Sequence, residues 1–224
     1  MAIASSPPTS SYFPFFSPEA AQDTNLLHQL GFIPGLKELL MVRQVHALEH
    51  ATIWLLSDRT TANPALQHGQ GEVSLGGMST EQGFYVYGAV TSMKLRQAVH
   101  SALLRLVAGD WDLAVHPRCG TNLSVGMVIA TGLALGVPWV LPRNPLEQLL
   151  GMGLAATAAM HLAPELGSLA QRYLTTAIPF NLAIGNISAL GDRQGRSVHF
   201  VQVRWVEQPL SFAAQQQNLK TKTS

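Results

Sequence analysis

Residues 121–142 read TNLSVGMVIATGLALGVPWVLP, and no Asp, Glu, Lys, Arg or His interrupts them. About 20 apolar residues are enough to cross the hydrocarbon of a bilayer as a helix, so this stretch predicts a transmembrane span. The turn PRNP follows. Residues 149–164 (LLGMGLAATAAMHLAP) are again free of Asp, Glu, Lys and Arg, with Glu147 just before them and Glu165 just after, and predict the returning span. The result is a helical hairpin in which Gly132, Gly136, Gly151 and Gly153 permit close backbone approach. Composition agrees: 47% of the 224 residues are hydrophobic and only 12% charged, about half the usual quarter, so part of the chain carries apolar residues without matching polar surface.

Charge places the flanks. Lys94, Arg96, Arg105 and Arg118 precede the hairpin, Arg172, Arg193, Arg196 and Arg204 follow it, and only Arg143 sits in its turn. The positive-inside tendency therefore predicts both termini on the cytoplasmic side of an integral membrane protein. The 14 basic and 13 acidic side chains balance, which argues against nucleic acid as a partner. A single cysteine, Cys119, excludes an internal disulfide framework and suits a reducing compartment. Residues 1–24 lack a basic segment followed by an apolar core, so they read as a Ser/Pro-rich tail rather than a signal peptide, and residues 207–224 read as a polar, flexible end.

Between tail and hairpin, residues 25–120 predict a small module. LLHQLGFIPGLKELL gives an amphipathic entry segment broken at Pro34-Gly35, and residues 37–56 lack Gly and Pro and predict a helix. A loop follows with one short strand at residues 72–75, then a strand in GFYVYGAV, whose aromatic and β-branched residues stand between glycines. Leu95, Val99, Ala102, Leu103 and Leu106 then form one helical stripe, closed by Gly109. After the hairpin (121–164), within residues 165–206, LGSLAQRYLTTAIPFNLAIGNISAL predicts one more amphipathic helix and a turn, and VHFVQVRWVE a strand. The expected class is α+β, mostly helical: a small cytoplasmic-face module joined to a two-helix transmembrane hairpin.

The chemistry concentrates in two motifs. His46-Ala47-Leu48-Glu49-His50 lies in the first strong helix, where a spacing of four puts both imidazoles on one face a turn apart. In H-x-x-E-H the two histidines bind zinc and the glutamate serves as general base for an attacking water. Zinc suits neutral imidazole and brings the pKa of water to about 7. His46 and His50 are thus candidate ligands and Glu49 the candidate catalytic base. A helix face carrying ordinary polar residues accounts for the same pentapeptide.

His116-Pro117-Arg118-Cys119-Gly120-Thr121-Asn122 stands immediately before the first span. His116 and Cys119, three apart in a Pro/Gly turn, are candidates to complete the metal set. A Cys-His nucleophile pair is an alternative, and so is a plain interfacial turn with Arg118 reaching toward headgroups and Asn122 capping the helix. His28, His68 and His199 read as surface or strand, His100 lies on a helix, and His161 reads as an interfacial histidine near Pro164.

HALEHATI followed by HPRCGTN at the head of a hairpin resembles the YqhQ-like family of uncharacterised bacterial membrane proteins, in which H-G-A-E-H-K-T-I precedes H-P-R-C-G-T-S. PELGSLAQRYLTT and NLAIGNISAL extend the resemblance over residues 43–190, with Asn181 at the place of the family's late glutamate. GGMSTEQGFYVYGAV is more similar to a related group of cyanobacterial proteins of unknown function. The resemblance implies a metal site. The combined expectation is a zinc-dependent, peptidase-like membrane hydrolase acting on a membrane-protein or peptide substrate, with a non-catalytic membrane assembly or scaffold factor as the alternative.

Overall fold

A computed structural model describes residues 18–61, 75–140, 144–191 and 197–207. Helix α1 spans Gln22–Leu30 and α2 spans Leu36–Thr61; β1 (Gly76–Thr80) and β2 (Gly83–Tyr87) form a hairpin, and α3 (Ser92–Ala108) follows. A 3-10 turn at Trp111–Ala114 leads into α4 (Gly120–Val140) and α5 (Pro145–Ala170), and a π turn at Gln171–Thr175 leads into β3 (Leu182–Gly191) and β4 (Ser197–Trp205). The four strands make one antiparallel sheet in the order β1-β2-β4-β3.

The module folds around α2. Val45, Leu48, Ala51 and Leu56 on α2 meet the fully buried α3 stripe and the inner sheet residues Phe84, Val86 and Val201. Burying a leucine or phenylalanine in this way contributes about 1.5–3 kcal/mol each, which holds α2 against the sheet. The ends of α3 follow their sequence signals: the Thr91 side chain accepts from the Lys94 N–H, and Gly109 takes the left-handed conformation at φ 115°. The expected stripe Leu95, Val99, Ala102, Leu103 and Leu106 is the buried face.

Helices α4 and α5 pack on each other and are long and apolar enough to cross a membrane. Asn144 caps α5 through the Leu146 N–H. Close approach occurs elsewhere than expected. Gly132, Gly136 and Gly153 face open space, whereas a Cβ on Gly126 would press on Ala163 and one on Gly167 would overlap Asn122.

Three elements differ from expectation. The amphipathic helix predicted after the second span is the C-terminal part of α5, which runs through Pro164 without a break. NLAIGNISAL, the end of the stretch read as a helix and a turn, lies mostly in β3, and a register shift between Ile184 and Ile187 interrupts the regular alternation that identifies a strand. Helix α1 begins inside the stretch expected as tail, and Thr24 accepts from the buried Asn181 amide. The strand predicted at residues 72–75 falls, apart from Leu75, outside the described residues; so do Arg143, His68 and most of both predicted tails.

Candidate metal centre

His46, Glu49 and His50 stand on the part of α2 that meets β1, the Trp111–Ala114 turn and Cys119. Nδ1 of His46 donates to the Thr175 carbonyl at 3.0 Å, and Nδ1 of His50 donates to the Ala114 carbonyl at 2.7 Å. A carbonyl can only accept, so each ring carries a proton on Nδ1, and in its neutral form the lone pair is on Nε2. The Cys119 thiol, one residue before α4, lies 3.3 Å from Nε2 of His46 and donates to it. One ligand atom from each of His46, His50 and Cys119 falls within 4.8 Å of the others. The HPRC turn holds the thiol there: Cys119 N–H donates to the His116 carbonyl, and Thr121 N–H donates to Sγ. Burial pushes the Cys119 pKa up, but hydrogen bonding and charge from His50, with hydrogen bonds from Thr121, outweigh it and bring it below the usual thiol range.

Glu49 faces β1. Ser79 donates to one carboxylate oxygen at 2.5 Å, and a Cβ on Gly77 would overlap the carboxylate, so the glycine makes the room that the acid occupies. Burial raises the Glu49 pKa, against the lowering effect of the Ser79 bond and the His46 charge. The four groups open into a cleft of about 390 Å³, with Val42, Ile53, Leu75 and Met78 supplying apolar wall.

His116 stands outside the trio. Its ring lies 5.7 Å from that of His50 and 4.9 Å from that of Trp54, and its Nδ1 accepts from the Arg118 N–H at 3.2 Å. Burial, then the charges of His50 and Arg118, lower its pKa from 6.5 to about 4. Of the other histidines, His161 is exposed on α5, and His199 is buried in β4, its Nε2 3.1 Å from the Ser92 hydroxyl. A second hollow of about 380 Å³, lined in part by Asp23, Arg43, Gln44 and Asn181, holds a network tying α1 to α2 and to Asn181, the residue before β3.

The motifs thus meet in space across 73 positions of sequence. Sequence reasoning missed Ser79, Gly77, Gln171 and the two carbonyls that aim the histidines. The paired Gly76-Gly77 was the one visible signal, since adjacent glycines in a strand mark a close approach.

A family model described as "Domain of unknown function (DUF6391)" matches residues 41–187, which contain both motifs and the hairpin. An uncharacterized protein of Picosynechococcus sp. is 52% identical over 192 residues, covering 85% of this chain and 93% of the relative. No solved structure matches. The similarity to cyanobacterial proteins of unknown function is thereby supported, while the YqhQ-like name and its metal dependence find no support in these matches.

Proposed function

The chain belongs to the DUF6391 family, a domain of unknown function, and we propose that it is a bilayer-anchored zinc hydrolase. In this reading His46, His50 and Cys119 hold the ion and Glu49 acts beside it as general base. One observation carries the metal reading: both imidazoles fix their protons on backbone carbonyls, so their Nε2 lone pairs are left for a ligand that the Cys119 sulfur can share. Two nitrogens and a thiolate suit zinc in particular. Bound there, zinc would supply Lewis-acid activation of water near neutral pH.

The chain's own groups supply the rest. Glu49, its pKa raised by burial, takes a proton from the attacking water and returns it to the leaving group. Ser79 fixes one of its oxygens and Gly77 gives the carboxylate its place against β1. The apolar side of the cleft takes the side chains of a peptide segment near the membrane surface, and Arg118 stands among its lining residues. His116 serves as a neighbour of the site, because its Nδ1 is engaged by the Arg118 amide.

Exposed apolar side chains on α4 and α5 support the bilayer as the hairpin's solvent, with both termini cytoplasmic by the distribution of Lys and Arg. A second reading has its own support: the Cys119–His46 contact, with the thiol pKa below its usual range, also suits a thiol nucleophile.

Glu49→Gln separates the general-base reading from the scaffold alternative. For a general base, the variant keeps its zinc and its thermal stability and loses activity by about 100- to 10,000-fold, read in cells as failure to complement a deletion. Full complementation with full metal content excludes the catalytic role. Loss of metal would instead make Glu49 a group that orients a ligand.

A further inference from the structure

The π turn that ends α5 reaches two of the three donors. Its last residue, Thr175, supplies the carbonyl that fixes His46. Its first residue, Gln171, is fully buried, and its side chain bonds in two directions. Oε1 accepts from the His116 N–H at 2.8 Å, and Nε2 donates to Asn122 Oδ1 at 2.6 Å. Asn122 in turn donates to the Pro117 carbonyl at 2.9 Å. Gln171 and Asn122 therefore grip the HPRC turn on both sides of Cys119. The grip needs Gly167, one turn earlier on α5, because any Cβ there would overlap Asn122. On the far side of the turn, Arg43 of α2 donates to the carbonyls of Tyr173 and Thr176. A single widened helical turn thus ties α2, the start of α4 and the end of α5 together around the donors, and π turns inside helices recur at functional sites.

We propose that Gln171 is a positioning residue that sets the Cys119 sulfur against His46 and His50, an inference that rests on the metal reading above. Its side chain bonds to none of the three donors and acts through the backbone of His116 and the side chain of Asn122. Gln171→Met keeps the volume and removes both bonds; Asn122→Ala cuts the same link at a half-buried position where folding is less at risk. The probe is Co2+ titrated into the purified full-length protein, read by the thiolate-to-cobalt charge-transfer band. Iodoacetamide alkylation of Cys119 in the metal-free protein is measured alongside.

Both variants are expected to weaken Co2+ binding by roughly 10- to 100-fold, with a diminished band and several-fold faster alkylation. Leu106→Ala, a cavity in the buried face of α3, lowers the thermal midpoint and leaves both readouts unchanged, which separates positioning from general destabilisation. Unchanged Co2+ affinity in both variants, where the wild type binds, overturns the role. If the wild type itself takes no Co2+, the metal reading falls, and the alkylation rates decide alone: equal rates in wild type and both variants overturn the positioning role, and a several-fold rise supports it.

Discussion

Leu48 on α2 has no exposed surface, whereas Leu154 on α5 has 72% of its surface exposed. The contrast holds across the two regions: the α2–α3–sheet module turns its leucines inward, and the hairpin turns Leu123, Leu135, Leu149 and Trp139 outward. Exposed apolar surface on this scale marks a face made for lipid or for a protein partner. One chain thus follows two burial rules. The proposed metal centre sits where they meet, with His46, Glu49 and His50 supplied by α2 and Cys119 by the turn that leads into the hairpin.

The comparison breaks first at Leu48. Leu48→Ala is expected to cost about 2–5 kcal/mol in chemical denaturation of the detergent-solubilised protein, and Leu154→Ala less than about 0.5 kcal/mol. Equal losses would mean that the exposed surface of the hairpin is covered by protein instead of lipid. A charge in the middle of α4 has the opposite specificity. Val128→Arg costs about 2.5–3.5 kcal/mol of insertion. It should move protein into the carbonate-soluble fraction, whereas Leu48→Ala should stay with the membranes. Wild type released by carbonate would contradict the bilayer assignment.

Much of this division was legible in the sequence, because both rules leave simple marks. An uncharged run from Thr121 to Val140 needs no tertiary information, and neither does the stripe from Leu95 to Leu106 with its Thr91 and Gly109 ends. The two histidine motifs were also visible. What could not be read was anything made by distant backbone. The Thr175 and Ala114 carbonyls carry no residue-type signal, and Ser79 meets Glu49 only because β1 lies against α2. Strand β3 was missed because its register shift hides its period.

A smaller effect concerns pH. Unfolded, His116 titrates near 6.5; folded, it resists protonation until about 4. Between these values the unfolded chain binds the extra proton, so stability is full above about 6.5 and falls as the pH drops through the window. Glu49 gives the opposite slope, since its raised pKa favours the folded state at low pH and loses that contribution as pH rises. Metal-free protein should therefore lose part of its denaturation midpoint between about pH 7 and about pH 5, and His116→Gln should flatten that loss while Glu49→Gln steepens it. An unaltered profile in His116→Gln would show that the ring is as freely hydrated folded as unfolded.

The most direct measurement is the metal content of full-length protein purified from membranes under metal-replete conditions, beside His46→Ala, His50→Ala and Cys119→Ser. The account predicts stoichiometric zinc in the wild type, loss of it in each of these variants, and retention in His161→Ala, whose ring is exposed on α5 and outside the donor trio. Wild type without bound metal, or full zinc retained in His50→Ala and in Cys119→Ser, would contradict it.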